Sequence, residues 1–460
     1  MKWFIETPLA YKKILSVAAP IMIGSAAQNI VALSDSIFLF HLSDTAFAAI
    51  GLCSVFYLTM VAIGYGFSVG GQITIARQMG LNLKKELGNT FKSILAFEIV
   101  LALLLFLVVR FGSEFIFSTF VHSDTILEQS LAFLKIRSFG LFLSFTCFAF
   151  IALYTGISRT RLIAINTVVL IVVNILLNYT FIFKLNMGIK GAAWASNCAE
   201  LAAVFFFFAL TLKDRKVRPY KLFRITRIDR RQLLELMHLS YPVVLQSLLG
   251  LVGWFFFFAM METRGERALA ISNLARIVYL ILSVPIWGLA SATNTLVSFA
   301  IGRGRNIQIP AIILKVAKIS FGLTMLISLP MLLFPGKILY PLLGKSDMSL
   351  ITETKPIFIV MILIMAIYSI GAVIFNGISG SGATKFGLKL QTVQVIIYLI
   401  WVYITLLMLD LPIAWAWSGE ILYWILIAVF GSRFIIRMVK LEHKRILEAE
   451  AQNIISTKDL

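Results

Sequence analysis

A repeat narrows what this chain can fold into more than any other feature of its sequence. Pro20 recurs as Pro242, Ala46 and Ala48 as Ala268 and Ala270, Tyr57 as Tyr279, Gly66 as Gly288 and Gly80 as Gly302, each pair 222 residues apart. Elsewhere the register slips slightly: Gly156-Ile157-Ser158 answers Gly377-Ile378-Ser379, and Ala193-Trp194 answers Ala416-Trp417. Two copies of one unit are expected, and doubled units of this kind in an apolar chain place a ligand site between their centres, near the bilayer midplane.

The chain has 460 residues, 60% of them hydrophobic and 14% charged, with a mean hydropathy of +0.92. That leaves too little polar surface to cover a soluble globule of this size. Its apolar segments are 14–40, 46–76, 93–110, 132–157, 162–183, 189–212, 237–260, 268–300, 311–335, 356–379, 386–409 and 412–436. A helix needs about 20 residues to cross roughly 30 Å of hydrocarbon, and these segments supply it. The alternation that marks a membrane barrel strand is absent. No small-residue cleavage site closes the first segment, so it reads as a retained helix rather than a removed signal peptide.

Net charge is +19, which in a soluble chain would suggest nucleic acid. In a membrane chain the question is which loops carry it. With the N-terminus in the cytoplasm, the cytoplasmic segments hold 30 of the 41 lysines and arginines, so the positive-inside rule places both termini there. Nine of these lie between Lys213 and Arg231, a linker suited to anionic headgroups. Cys53, Cys147 and Cys198 fall in apolar segments, and the four histidines show no metal spacing.

Six crossings per half make the two copies parallel. The fold class expected is all-α integral membrane, with twelve transmembrane helices as two six-helix bundles related by a pseudo-two-fold axis along the membrane normal. The domains are an N-terminal lobe at 1–212, a basic linker at 213–235, a C-terminal lobe at 236–437 and a cytoplasmic tail at 438–460. Small residues in the second helix of each half, Gly64, Gly66, Gly70 and Gly71 against Gly288, Ala290, Ser291 and Ala292, suit close helix packing. Pro20 and Pro242 each remove a backbone hydrogen bond from the first helix of their half, so a kink is expected there.

A duplicated scaffold points to function where its copies diverge. Asp35 corresponds to Phe257, and in the fifth helix, at an offset of 225, Asn174 and Asn178 correspond to Leu399 and Tyr403. Counting about 1.5 Å per residue, Asp35, Asn174, Asn178 and Ser196 all lie in the outer half of the first bundle. A carboxylate, two amide oxygens and a hydroxyl form a hard-oxygen set suited to Na+ at Asp35, Asn174 and Asn178. A lone carboxylate held away from water can instead carry a proton. The competing structural role is a polar clamp between helices.

Other buried charges read as structural ion pairs first and substrate contacts second. Arg276 and Glu420 are at matched depth in the second lobe, and Arg137 with Glu200 is a looser match in the first. Glu98 is near a cytoplasmic end and reads as snorkelling. Gln28 and Gln246 are polar candidates for a central cavity, and the density of aromatic rings suits bulky cationic ligands.

The chain resembles the multidrug and toxic compound extrusion (MATE) transporters over essentially its whole length. The resemblance rests on Pro20 followed by Gln28 and Asp35, on Ala76-Arg77-Gln78-Met79-Gly80, on Thr155-Gly156-Ile157-Ser158-Arg159-Thr160, on Asn174-x-x-x-Asn178 and on Gly191-Ala192-Ala193-Trp194-Ala195-Ser196. It implies a non-enzymatic exporter of organic cations or other amphiphilic compounds, driven by Na+ or H+ and without a cofactor. The cation site implied is Asp35, Asn174 and Asn178 with Ser196 beside them, and Pro20 is the implied bending point. Acidic positions of one branch in helices seven and ten fall at about Gly250 and Tyr368 here, which leaves the first lobe as the coupling centre; Arg276 and Tyr368 join Gln28 and Gln246 as cavity or substrate candidates. The expected setting is multi-pass in the inner membrane, working as a monomer among lipids with small amphiphilic substrates and no nucleic acid. The alternatives are a lipid-linked glycan flippase of the same superfamily and a non-transporting scaffold.

Overall fold

The computed structural model describes residues 10–121, 123–224, 230–336 and 348–458, and every regular element among them is helical. In the first half come α1 (Tyr11–Phe40), α2 (Asp44–Gly80) and α3 (Lys84–Phe120). Next, α4 (Asp124–Arg137) and α5 (Gly140–Gly156) form one crossing bent by 47°. After them α6 (Arg161–Asn178) runs into a π-helical turn, Tyr179–Lys184, and α7 (Gly188–Lys213) closes the half. The second half repeats the plan as α8 (Arg230–Glu262), α9 (Glu266–Gly302), α10 (Ile309–Leu333), α11 (Met348–Gly380) and α12 (Thr384–Tyr403) with its own π-helical turn, Ile404–Met408. Two further helices, α13 (Ile413–Trp417) and α14 (Gly419–Lys458), end the described chain.

Ten described helices are long and apolar enough to cross a bilayer, and the bent pair makes eleven. With the 30-residue α1 this is the twelve-crossing, two-lobe plan expected from the repeat. Helices are the outcome because backbone groups in hydrocarbon find no water, so each must bond within its own segment. Rings and branched aliphatics cover the outside: Phe115 is 81% exposed and Leu326 71%, which suits a protein whose solvent is lipid. Polar residues mark the turns instead, as where Ser43 accepts a hydrogen bond from the Ala46 amide at 3.1 Å to start α2.

The chain divides into two compact units, Ser16–Leu248 and Leu249–Leu460 together with the residues before Ser16, called the first and second lobes below. The first lobe buries Leu39, Tyr57, Phe133, Phe145 and Ile182 in one cluster and Phe91, Phe150, Tyr154 and Phe207 in another. In the second lobe Phe257, Tyr279, Met361, Tyr368, Tyr398 and Trp417 form the core. The start of the basic linker packs on the first lobe: Tyr220 and Leu222 are buried in its core, Arg159 pairs with Asp214, and Lys92 Nζ donates to the Arg224 carbonyl at 3.1 Å. Lys213, Arg215, Lys216, Arg218 and Lys221 stay exposed.

One expectation fails here. Glu98 does not snorkel: it is fully buried, and neither carboxylate oxygen has a hydrogen-bond partner among the described residues. The apolar segment begins at 93, but the helix begins at Lys84, so Glu98 lies four turns inside α3 rather than near its end.

Candidate cation site in the first lobe

Asp35 is the hub of a group drawn from three helices. Its Oδ1 accepts from Asn178 Nδ2 at 2.6 Å and from Asn174 Nδ2 at 3.2 Å, and its Oδ2 accepts from Ser196 Oγ at 2.7 Å. Asn174 Nδ2 also donates to Ser196 Oγ at 3.1 Å, and Asn178 Nδ2 to Asn174 Oδ1 at 3.1 Å. Asn174 and Asn178 have no exposed surface, and Asp35 is 7% exposed. All four residues expected at this site therefore meet in one network.

The local sequence explains the convergence. Four residues of helical spacing put both asparagines on one face of α6, turned toward α1 and α7. Gly191 lets α7 press against the π-helical turn that follows Asn178, since a Cβ there would stand 2.9 Å from the Phe181 carbonyl carbon and oxygen. That contact sets the height of Ser196, little more than one turn further along α7. On α1, Pro20 has no amide to offer the Ser16 carbonyl. Thr160 Oγ1 compensates from the start of α6, donating to Val17 O at 2.8 Å and Ser16 O at 3.4 Å. Pro20 thus lies within a continuous helix whose preceding turn is tied to the start of α6.

Chemically the group holds oxygens in excess of donors. Five oxygens stand against three donor atoms, whose N–H and O–H groups point at the carboxylate or at one another, and Asn178 Oδ1 is buried with no hydrogen-bond partner among the described residues. Leaving such an acceptor unsatisfied costs about 1–3 kcal/mol. No ion pair reaches Asp35 among the described residues. Carboxylate, amide and hydroxyl oxygens are the ligand types a small hard cation takes, and a proton on Asp35 would neutralise the carboxylate that the three donors now face.

The remaining candidates scatter. Gln28 has a side chain outside the described residues, and Gln246 is buried. Tyr368 is buried in the second lobe, where its hydroxyl accepts from Trp287 Nε1 at 2.8 Å. Arg276 and Glu420 do not pair: the Arg276 guanidinium lies 5.2 Å from the Phe258 ring centroid, its Nε without a partner among the described residues, and Glu420 accepts from Trp424 Nε1 at 3.0 Å instead. Equal depth was a poor guide, because depth fixes height along a helix and not the face around it.

The looser match is the real pair. Arg137 donates to Glu200 through both terminal nitrogens, at 2.9 and 2.5 Å, and to Asn197 Oδ1 at 2.7 Å, while Ser144 Oγ donates to Glu200 at 2.9 Å. Gly140 makes room, since a Cβ there would collide with Arg137 Nη1. The bend between α4 and α5 hid this from sequence, because counting along a straight helix misplaces Arg137. Asn197 was missed altogether, although it stands three residues before Glu200, on the same face of α7.

Known proteins share the fold and part of the sequence. The chain is 22% identical over 385 residues to a probable multidrug resistance protein NorM of Thermotoga maritima, covering 82% of each. It is 23% identical over 255 residues to the multidrug export protein MepA of Staphylococcus saprophyticus, covering 55% of this chain and 56% of that one. Its fold superposes with a TM-score of 0.85, at 21% identity over 94% of this chain and 96% of the other, on a multidrug resistance MATE family transporter of the MOP superfamily in an outward-facing conformation. The MatE family model matches twice, at residues 20–180 and 242–404, once in each half of the repeat. This multi-pass membrane protein, with its polar network in one half of a doubled scaffold, belongs to the MatE family of transporters.

Proposed function

We propose that the protein is a secondary active exporter that moves organic cations or other amphiphilic compounds outward in exchange for inward Na+ or H+ by alternating access. The observation that carries this reading is the Asp35 network, a buried carboxylate with three donors, no ion-pair partner among the described residues and one orphaned amide oxygen beside it. The names borne by its relatives, multidrug resistance and multidrug export proteins, support the direction and the class of cargo.

Asp35 and Pro20 share α1, 15 residues or about 22 Å apart along the axis. A cation arriving at Asp35 removes the reason for Asn174, Asn178 and Ser196 to point their donors at it, and so reorders the contacts that hold α1 against α6 and α7. Pro20 is where α1 yields most easily, because a 3.4 Å bond from the Thr160 hydroxyl stands at Ser16 O in place of the missing backbone bond. Drug and coupling cation then weaken one another by the same factor, as linkage requires of any exchanger. The chain acts without a cofactor, as a monomer in the inner membrane with both termini in the cytoplasm, and performs no covalent chemistry.

The test is reconstituted protein in liposomes, loaded with a cationic dye and given either a Na+ gradient or a pH gradient. Export under one of the two, strongly reduced by Asp35→Asn at normal protein levels, is the expected result. Export under neither gradient sinks the reading.

A further inference from the structure

A second cluster, in the other lobe, is built like the Arg137 cluster but lacks its cation. Tyr57 and Tyr279 are counterparts in the repeat, and the offset of 223 set by Trp194 and Trp417 makes Asn197 the counterpart of Glu420. In the first lobe the Arg137 guanidinium lies 4.3 Å from the Tyr57 ring centroid and donates to Asn197 Oδ1 at 2.7 Å. Ring and oxygen persist in the second lobe: the Tyr279 hydroxyl donates to Glu420 Oε2 at 3.4 Å, and Trp424 Nε1 donates to the same oxygen at 3.0 Å. Tyr368 stacks on Tyr279, with centroids 5.7 Å apart and planes within 7°, and on Trp424, with centroids 4.1 Å apart.

What has changed is the charge. At the offset of 221 set by Gly156 and Gly377, Arg137 becomes Phe358, and Glu200 becomes Tyr423 at 223. Glu420 therefore gained a formal negative charge where its counterpart is neutral, and lost the guanidinium that its counterpart's oxygen receives. Among the described residues no cationic side chain forms an ion pair with it, and Arg276 is engaged with Phe258. A buried carboxylate in an aromatic box with no cation of its own is the reverse of what packing alone selects.

The geometry points to Glu420, Tyr279, Tyr368 and Trp424 as a recognition site for the positively charged centre of a transported organic cation. The ligand supplies in the second lobe the charge that Arg137 supplies in the first. Delocalised or fully substituted cations suit it best, because they shed water readily and take ring faces as neighbours. Trp287, Tyr423 and Trp424, at the edge of the box, are only half-buried. This inference deepens the export reading and rests on it for the identity of the ligand as cargo.

Equilibrium binding to the full chain in lipid nanodiscs, with no ion gradient, tests it. The probes are tetraphenylphosphonium and the neutral triphenylphosphine oxide, followed by tryptophan fluorescence. Glu420→Gln is expected to weaken the phosphonium about tenfold, a difference of about 1.4 kcal/mol, and to leave the oxide unchanged. Trp424→Leu supplies the same ratio should Glu420→Gln fail to assemble. Equal loss for both probes, or no loss for the phosphonium, overturns the site. A protein that binds through Glu420 and exports nothing sinks the export reading alone, whereas unaltered binding by Glu420→Gln in a protein that exports sinks this one alone.

Discussion

Asp35 and Phe257 stand at the same step of the two halves and are solved in opposite ways. Around Asp35 are Asn174, Asn178 and Ser196, all hydrogen-bonded into one group. Around Phe257 are rings, Trp417 at 5.3 Å and Tyr398 at 6.1 Å between centroids, and the side chain has no exposed surface. Gly419 takes the place of Ser196, and a Cβ there would already stand 3.0 Å from Tyr398 and Trp401. The contrast shows that the slot belongs to the scaffold and its chemistry to the side chains. It also shows that the polar version comes as a set, because each member alone would leave a buried group unsatisfied.

The strongest way to break the comparison is Asp35→Asn. Gradient-driven efflux from liposomes should fall by roughly 5- to 150-fold, the range of ordinary coupling energies, with dye binding retained. Efflux at the wild-type level would mean that the first lobe's network is only a clamp. Glu200→Ala comes next. It strands the Arg137 guanidinium without its carboxylate and should cost about 3–5 kcal/mol, read as a lowered thermal unfolding midpoint. Glu420→Gln strands nothing, so its midpoint should stay level or rise, and a fall as deep as that of Glu200→Ala would show that the two clusters are alike after all.

A smaller effect is expected from Gly191→Ala. Its Cβ would press on the Phe181 backbone and cost about 1–3 kcal/mol while shifting Ser196 away from Asp35. Efflux should drop together with stability, and loss of stability alone would separate the packing of α7 from the site. Thr160→Val should matter least. Removing one hydroxyl from the Val17 and Ser16 carbonyls costs about 1 kcal/mol, seen as faster amide exchange around Pro20 with the remainder of the lobe unchanged.

The two π-helical turns sharpen the same lesson from the other side. Tyr179–Lys184 follows Asn178 and invites a functional explanation, yet Ile404–Met408 follows Tyr403 at the corresponding place in the lobe that lacks the network. The widened turn is therefore a property of the duplicated scaffold, used by the first lobe and merely inherited by the second.

Asp35, Asn174, Asn178 and Ser196 were legible because three signals coincided: polar atoms in apolar segments, helical spacing, and loss of the same residues from the other copy. Arg137 with Glu200 was half legible, since both charges stood out but the bend after Arg137 spoiled the count of depth. The box around Glu420 was legible only in pieces, Glu420 as an intramembrane charge and Tyr368 as a substrate candidate. Nothing along the chain joins them until α9, α11 and α14 bring Tyr279, Tyr368 and Trp424 around one carboxylate.

The sequence by itself determined the number of crossings, the doubling and the place where the halves part company, because each depends on residue type and spacing along a single helix. Which charges meet was decided only by the tertiary structure. Rotation about a helix axis, the bend at 138–139 and the gaps left by Gly140 and Gly191 set the face each side chain presents to its neighbours. An ion pair acts over a few ångströms, less than the width of the helix that carries it, so a difference of one face separates Arg276 from Glu420 and joins Arg137 to Glu200.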